Sequence, residues 1–380
     1  MPPRRRPAAA PFWEVEVERR AGTAADCVAV GRALRRRFHL VPSTATKFGR
    51  GLLAVRPAGE PVAPRGPVAA SDSLDTATRA IIARHLGRLR EALPAVRYGE
   101  DPEAVHEMRV AVRRLRTALR LGRAALPVRQ REALGRELRW LGSALGPVRD
   151  LDVQLANAAW HRQRLAPAAR APIDGLRRAL RRDRIAARAA LEQALDSTRC
   201  ARLLLALERA AVAPRRPVRA AAAEPIAEAG RRAVKRAMRR LRKLGDGVGE
   251  LPAAEDLHAL RIRAKRLRYA LEALKPISGR EGRRMTKQLV RLQDVLGRFN
   301  DSMVAAATVR RYRDALPAKT PPATRQALST IADAELRRAG AAQARFEAAW
   351  RRFTDRGARR RLRALLTALA DSAGASRNTP

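Results

Sequence analysis

VHEMRVAVRRLRTAL at 105–119 and LHALRIRAKRLRYAL at 257–271 are one pattern written twice, 152 positions apart. His106 aligns with His258, Arg109 with Arg261, Arg113 with Lys265 and Arg116 with Arg268. An α-helix turns once in about 3.6 residues, so steps of three and four return to one face. His106, Arg109, Arg113, Arg116 and Arg120 therefore form one basic stripe, and His258, Arg261, Lys265 and Arg268 form its twin. One position earlier on each helix runs an apolar stripe: Val105, Met108, Val112, Leu115 and Leu119, then Leu257, Leu260, Ala264, Leu267 and Leu271. The cations flank the seam that each helix buries. A merely solvated charged face needs neither a histidine at its head nor a second copy.

Around this repeat the chain is strongly basic. Its 380 residues carry 80 Lys+Arg against 37 Asp+Glu, a formal net charge of +43. Such a field attracts polyanions at long range and opposes compaction. Only seven of the cations are lysine, and the planar fork of arginine matches phosphate oxygens. Aromatic residues make up 3% of the chain, too few to build a stacking platform for single-stranded nucleic acid. Cys27 and Cys200 are far apart, without metal-ligand spacing or a disulfide framework, as a reducing cytosol allows. No signal-like or membrane-spanning apolar run is present. The expectation is a cytoplasmic protein without membrane insertion.

Punctuation divides the chain. Residues 1–12 read as a disordered basic tail, and 56–70, rich in Pro and Gly, as a linker. Between them WEVEVER at 13–19 alternates like a strand, whereas 24–40 can form one helix. From Ser71 the periodicity is helical throughout. Helices are expected near 73–97, 102–125, 129–146, 149–164, 169–195, 197–212, 220–245, 254–274, 280–297, 301–315, 322–355 and 357–371. The fold class is thus all-α: two antiparallel helical bundles, about 71–212 and 220–373, related by a pseudo-twofold axis, with 374–380 a disordered tail. A second repeated element, LGPVRD at 145–150 and LGRFND at 296–301, reads as a helix break, with Gly146 or Gly297 ending one helix and Asp150 or Asp301 capping the next. The acidic residues Asp150, Asp152, Asp294 and Asp301 are too scattered among arginines to suggest a metal site.

The two motifs HEMRVAVRRLR with LGPVRD, and HALRIRAKRLR with LGRFND, resemble those of the CHAD family, the conserved histidine α-helical domain, over about residues 72–371. The resemblance implies noncatalytic binding of inorganic polyphosphate on a basic surface of two helical bundles, without cofactor or metal, and in some members association with polyphosphate granules and their proteins. Carried over by position, the implied contacts are His106, Arg109, Arg113 and Arg116 with His258, Arg261, Lys265 and Arg268. Arg84 and Arg88 opposite Lys235 and Arg239, and Arg136 opposite Lys287 and Arg291, complete the set. Trp140 stands where the second half has Arg291, so the first half is expected to make one contact fewer. Bound anion is expected to draw the two histidines toward their charged form. The competing expectation is that each histidine satisfies a buried carbonyl.

EVEVER at 14–19 and STATKFGRGLLA at 43–54 resemble the opening and closing segments of a CYTH triphosphate-tunnel domain, with Glu14, Glu16 and Glu18 in the place of metal-binding carboxylates. Residues 13–55 are too few to close an eight-stranded barrel, so a truncated, noncatalytic remnant is expected. Two other functions fit the charge. Nonspecific nucleic-acid binding needs no motif. A metal-dependent enzyme that processes polyphosphate or triphosphate would need a P-loop, an activated nucleophile or a carboxylate cluster, none of which the helical region offers.

Overall fold

The computed structural model describes residues 68–98, 101–212, 220–249 and 252–375, together with the helix Ala24–Phe38 and four isolated residues beside it. Among the described residues no β-strand forms, and the all-α expectation holds. The helices are α1 Ala24–Phe38, α2 Leu74–Tyr98, α3 Pro102–Leu121, α4 Val128–Arg164, α5 Ala171–Asp196, α6 Thr198–Ala211, the single turn α7 Ala220–Ala223, α8 Ile226–Gly245, α9 Ala254–Ala273, α10 Gly279–Asp314, α11 Pro322–Ala344, α12 Phe346–Thr354 and α13 Arg356–Ala375. α1 matches the helix expected at 24–40. The CYTH-like segments at 14–19 and 43–54 lie almost wholly outside the described residues.

Local chemistry starts the repeat helix α3 firmly. The Asp101 side chain accepts the Glu103 N–H at 2.8 Å, and Pro102 fills the first helical position, where an N–H has no partner to lose. At its other end Gly122 lies so close to Thr78 of α2 that a Cβ would overlap the threonine side chain. The expected apolar stripes are buried in full: Val105, Met108, Val112, Leu115 and Leu119 of α3, and Leu257, Leu260, Ala264, Leu267 and Leu271 of α9, are each at most 4% exposed.

The order of packing repeats. α2 packs on α3 and α6, and α3 on α4; α8 packs on α9 and α13, and α9 on α10. The strands of chain entering the two series meet in one antiparallel bridge, Ser73 to Pro225. There Leu74 N–H donates to the Glu224 carbonyl and Ile226 N–H to the Asp72 carbonyl, both at 2.8 Å. Each bond is the counterpart of the other under the 152-residue offset. A buried cation is also fully tied: Arg79 pairs with Asp75 at 2.8 Å and donates to the carbonyls of Ala210 and Val212, joining α2 to the end of α6.

Two helix breaks differ from the sequence expectation. The segments expected at 129–146 and 149–164 are one helix, α4, which passes through Pro147; those expected at 280–297 and 301–315 are one helix, α10. Gly146 and Gly297 therefore end nothing, and Asp150 and Asp301 cap nothing. The buried face keeps its phase across both sites: Leu134, Leu138, Leu141, Leu145, Val148 and Asp152 on α4, then Met285, Leu289, Leu292, Leu296, Phe299 and Ser302 on α10. Continuous burial outweighs the loss of one backbone bond and the low helix propensity of glycine. The opposite error occurs at 220–245, which divides at Glu224 and Pro225 into α7 and α8, and at 322–355, which divides at Arg345 into α11 and α12.

The long helices reach two cores. The larger one joins residues of α2, α3, α6, α8, α9 and the leading parts of α4 and α10 with α12 and α13. A smaller one gathers Ala158, Ile173, Leu176 and Leu180 from α4 and α5 with Val309, Leu328, Ile331 and Ala332 from α10 and α11. Beside it the fully buried Glu335 accepts from His161 at 2.5 Å, Arg338 at 2.7 Å and Asn157 at 3.2 Å.

Candidate functional site

α3 packs against α9, and this contact brings the two basic stripes together. The Arg113 guanidinium lies over the Tyr269 ring, 4.6 Å from its centroid, a cation–π contact made between the helices. Arg114, the next residue on α3, pairs with Glu272 of α9 at 3.7 Å. Glu272 also receives Arg268 at 2.7 Å, and Arg268 donates to Gln293 of α10 at 3.0 Å. Arg113 is thus held by a ring of the opposite half, and Arg268 by groups of its own half, one of which, Glu272, also reaches Arg114 across the crossing.

The electrostatics show the same convergence. Burial pushes the Lys265 ammonium down to about 8, helped by Arg261 on its own helix and by Arg113 and Arg109 of α3, against Asp301. Burial also holds the Arg113, Arg116 and Arg120 guanidiniums below their ordinary range. Arg139 and Arg266 add repulsion at Arg116, and Arg116 and Arg266 at Arg120. His106 is lowered by burial first and then by Arg149 of α4 and Arg113, with Glu103 and Glu107 opposing. In the free protein His106 is therefore shifted toward the neutral form. His258 shares a 3.0 Å hydrogen bond with the Asn300 side chain and is exposed, so it does not satisfy a buried carbonyl.

The crossing is uneven. Under the repeat offset Arg114 corresponds to Arg266, and Glu272 to Arg120. One side of the crossing accordingly holds an attraction, Arg114 with Glu272, whereas the other holds Arg266 repelling Arg120. Tyr269 corresponds to Thr117, which accepts from Arg120 at 3.0 Å. The Arg116, Arg120, Arg139 and Arg266 side concentrates positive charge with no carboxylate among the groups acting on Arg116 or Arg120.

The remaining residues implied by the family resemblance occupy exposed positions on neighbouring helices: Arg84 and Arg88 on α2, Lys235 and Arg239 on α8, Arg136 on α4, Lys287 and Arg291 on α10. Arg84 and Arg88 act with Arg114 of α3 on the buried His85, which burial and these three cations push down to about 3. Trp140, in the position of Arg291, carries the Arg199 guanidinium 4.4 Å above its ring, and Arg199 pairs with Glu137 at 2.6 Å.

Arg139, Arg149, Arg266 and Tyr269 were not singled out by the stripes. The sequence does carry a signal for Arg266: the doublet Arg113-Arg114 recurs as Lys265-Arg266. The break motif has a different role from the expected cap. Arg109 donates to Asp150 at 3.0 Å and to the Gly146 carbonyl at 3.1 Å, and Arg261 pairs with Asp301 at 3.4 Å. Among the described residues no three His, Cys, Asp or Glu side chains gather as a metal ion would require, and no helix is long and apolar enough to cross a membrane.

The profile of the CHAD domain family matches residues 80–310, which include both stripes. The chain belongs to the CHAD domain family. Uncharacterized protein Rv2226 of Mycobacterium tuberculosis is 30% identical to this CHAD protein over 307 residues, 77% of the chain, and its counterpart in a second strain, Uncharacterized protein MT2285, matches equally. The chain spans 55% of the length of these relatives. The crystal structure of the CHAD domain from the plant Ricinus communis superposes with a TM-score of 0.55 at 28% identity, covering 83% of this chain and 97% of that one. PptA from Streptomyces chartreusis superposes with a TM-score of 0.60 at 22% identity, covering 74% and 99% respectively, and shares the fold.

Proposed function

We propose that this CHAD protein binds inorganic polyphosphate, without cleaving it, in a basic groove along the α3–α9 crossing, between halves related by a pseudo-twofold axis. The observation that carries the reading is the meeting of two stripes 152 residues apart: Lys265 lies in the field of Arg109 and Arg113, and Arg113 in that of Arg268. Such a concentration of half-buried like charge costs folding energy, and a chain with about one charge per phosphate offsets it at successive positions. Guanidinium forks supply charge-assisted hydrogen bonds, and release of counterions supplies affinity, as in nucleic-acid binding. His106, His258, Arg109, Arg113, Arg116, Arg261, Lys265 and Arg268 form the groove, with Arg84, Arg88, Arg136, Lys235, Arg239, Lys287 and Arg291 extending it on the flanks. Arg120, Arg139 and Arg266 belong with them. Attachment to polyphosphate granules in the cytoplasm follows from the same chemistry.

The test is a salt titration of affinity for long-chain polyphosphate beside duplex DNA matched in phosphate, with release of orthophosphate followed in the presence of magnesium or manganese. Preference for polyphosphate without release supports the proposal. Equal affinity reduces the site to a general polyanion surface, and steady release makes the protein an enzyme. Replacing both Arg109→Glu and Arg261→Glu should lower polyphosphate affinity by at least about a hundredfold, since each contributes a charge-assisted contact of roughly 1.5–3 kcal/mol. An unchanged affinity in the folded double variant would refute the stripes as the site.

A further inference from the structure

Asp150 and Asp301 occupy corresponding places in the two halves, and each holds the corresponding stripe arginine, at 3.0 Å for Arg109 and 3.4 Å for Arg261. The asymmetry within each pair is informative. The carboxylates are 72% and 57% exposed, whereas their arginines are 32% and 21% exposed. The anion thus stands on the solvent side of the cation. Pairs this exposed contribute little to stability, about 0–1 kcal/mol, so their value to the fold does not account for a negative charge at the head of both basic stripes. Arg109 is also anchored independently, through the Gly146 carbonyl at 3.1 Å, so it keeps a partner when Asp150 leaves. Asp301 faces Lys265 as well as Arg261, and Asn300 donates to it at 3.4 Å.

Resting on the polyphosphate reading, we infer that Asp150 and Asp301 are internal counterions that occupy Arg109 and Arg261 in the free protein and that phosphate groups of the incoming chain displace. A ligand must then outcompete a carboxylate at each stripe head.

The experiment measures polyphosphate affinity of the full chain at fixed salt for four proteins: the unaltered chain, Asp150→Asn with Asp301→Asn, a control with Asp314→Asn and Asp333→Asn, and the Asp150→Asn/Asp301→Asn pair in an Arg109→Gln/Arg261→Gln background. Asp314 and Asp333 are exposed and pair with Arg313 and Arg310 near the far end of α10. Along α10, Asp314 is about 20 Å beyond Asp301, more than twice the screening length of about 8 Å at physiological salt. The control therefore changes net charge equally but not the site. The inference expects the Asp150/Asp301 variant to bind about three- to tenfold tighter than the control, with no such gain once the two arginines are gone. Equal or weaker binding by that variant would overturn it and make the carboxylates positioning groups. A gain that persists without the arginines would also overturn it, since it would reflect diffuse charge. Absence of binding by the unaltered chain would overturn the polyphosphate reading itself, and this inference with it.

Discussion

Lys265 is a stripe cation whose charge changes near pH 8, because burial and the fields of Arg261, Arg113 and Arg109 bring its ammonium to about 8. On the polyphosphate reading, bound polyanion would stabilise the charged form, so above about pH 8 binding should take up a proton and affinity should fall with rising pH. Isothermal titration between pH 7 and 9 should show this decline, and Lys265→Arg should flatten it, because a guanidinium stays charged. For folding of the free chain the sign reverses: this group costs most below pH 8, and the cost fades toward the ordinary lysine value of about 10.4. His85 sets a second pH limit. It is 8% exposed, its Nδ1 is without a hydrogen-bond partner, and it is driven down to about 3 by burial and by Arg114, Arg88 and Arg84. Protonation is free in the unfolded chain below about 6.5 but resisted in the fold until about 3, so stability is lost as pH falls through that window. Urea denaturation should find His85→Leu about 2 kcal/mol more stable than the unaltered chain at pH 5, with a smaller gain at pH 7. At this scale the stripes were legible because spacing alone assigns residues to a helix face. Arg139 and Arg149 were not, because α4 reaches the stripes only through tertiary packing.

Helix identity was legible in the sequence, whereas helix continuity was not. Proline after Gly146, and an Asp placed as a cap, are local signals for a break, yet α4 runs on from Val128 to Arg164. The apolar residues decide it, since Leu141, Leu145 and Val148 are completely buried on one unbroken face on both sides of Pro147. The proline ring itself is exposed and contributes nothing to this core. Pro147→Ala therefore restores a backbone N–H within a helix and should raise stability by about 1–3 kcal/mol, read as an upward shift in the denaturation midpoint. If a turn were required there, the same change would be neutral or harmful. The motif Leu-Gly-x-x-x-Asp serves position rather than termination. It aims Asp150 and Asp301 outward from α4 and α10 at the arginines of α3 and α9.

In the whole molecule the repeat is visible in sequence, but the sharing of cores is not, because periodicity marks which face is buried without saying against what. Both cores mix residues from either side of the 213–219 junction. Fragments 71–212 and 220–373, expressed separately, would lose the α3–α9 crossing and expose the facing apolar sides of α4 and α5 and of α10 and α11 that build the smaller core. Each fragment should lack a cooperative unfolding transition and aggregate, while coexpression should restore a helical complex with a single transition. Two fragments that melt cooperatively alone would contradict the shared-core account. The reciprocal bridge at Ser73 and Pro225 ties the entrances of the two series together as well. Damage to one copy should therefore be felt by the other, so that deleting either, or exchanging it for a foreign homologue without its counterpart, should weaken both.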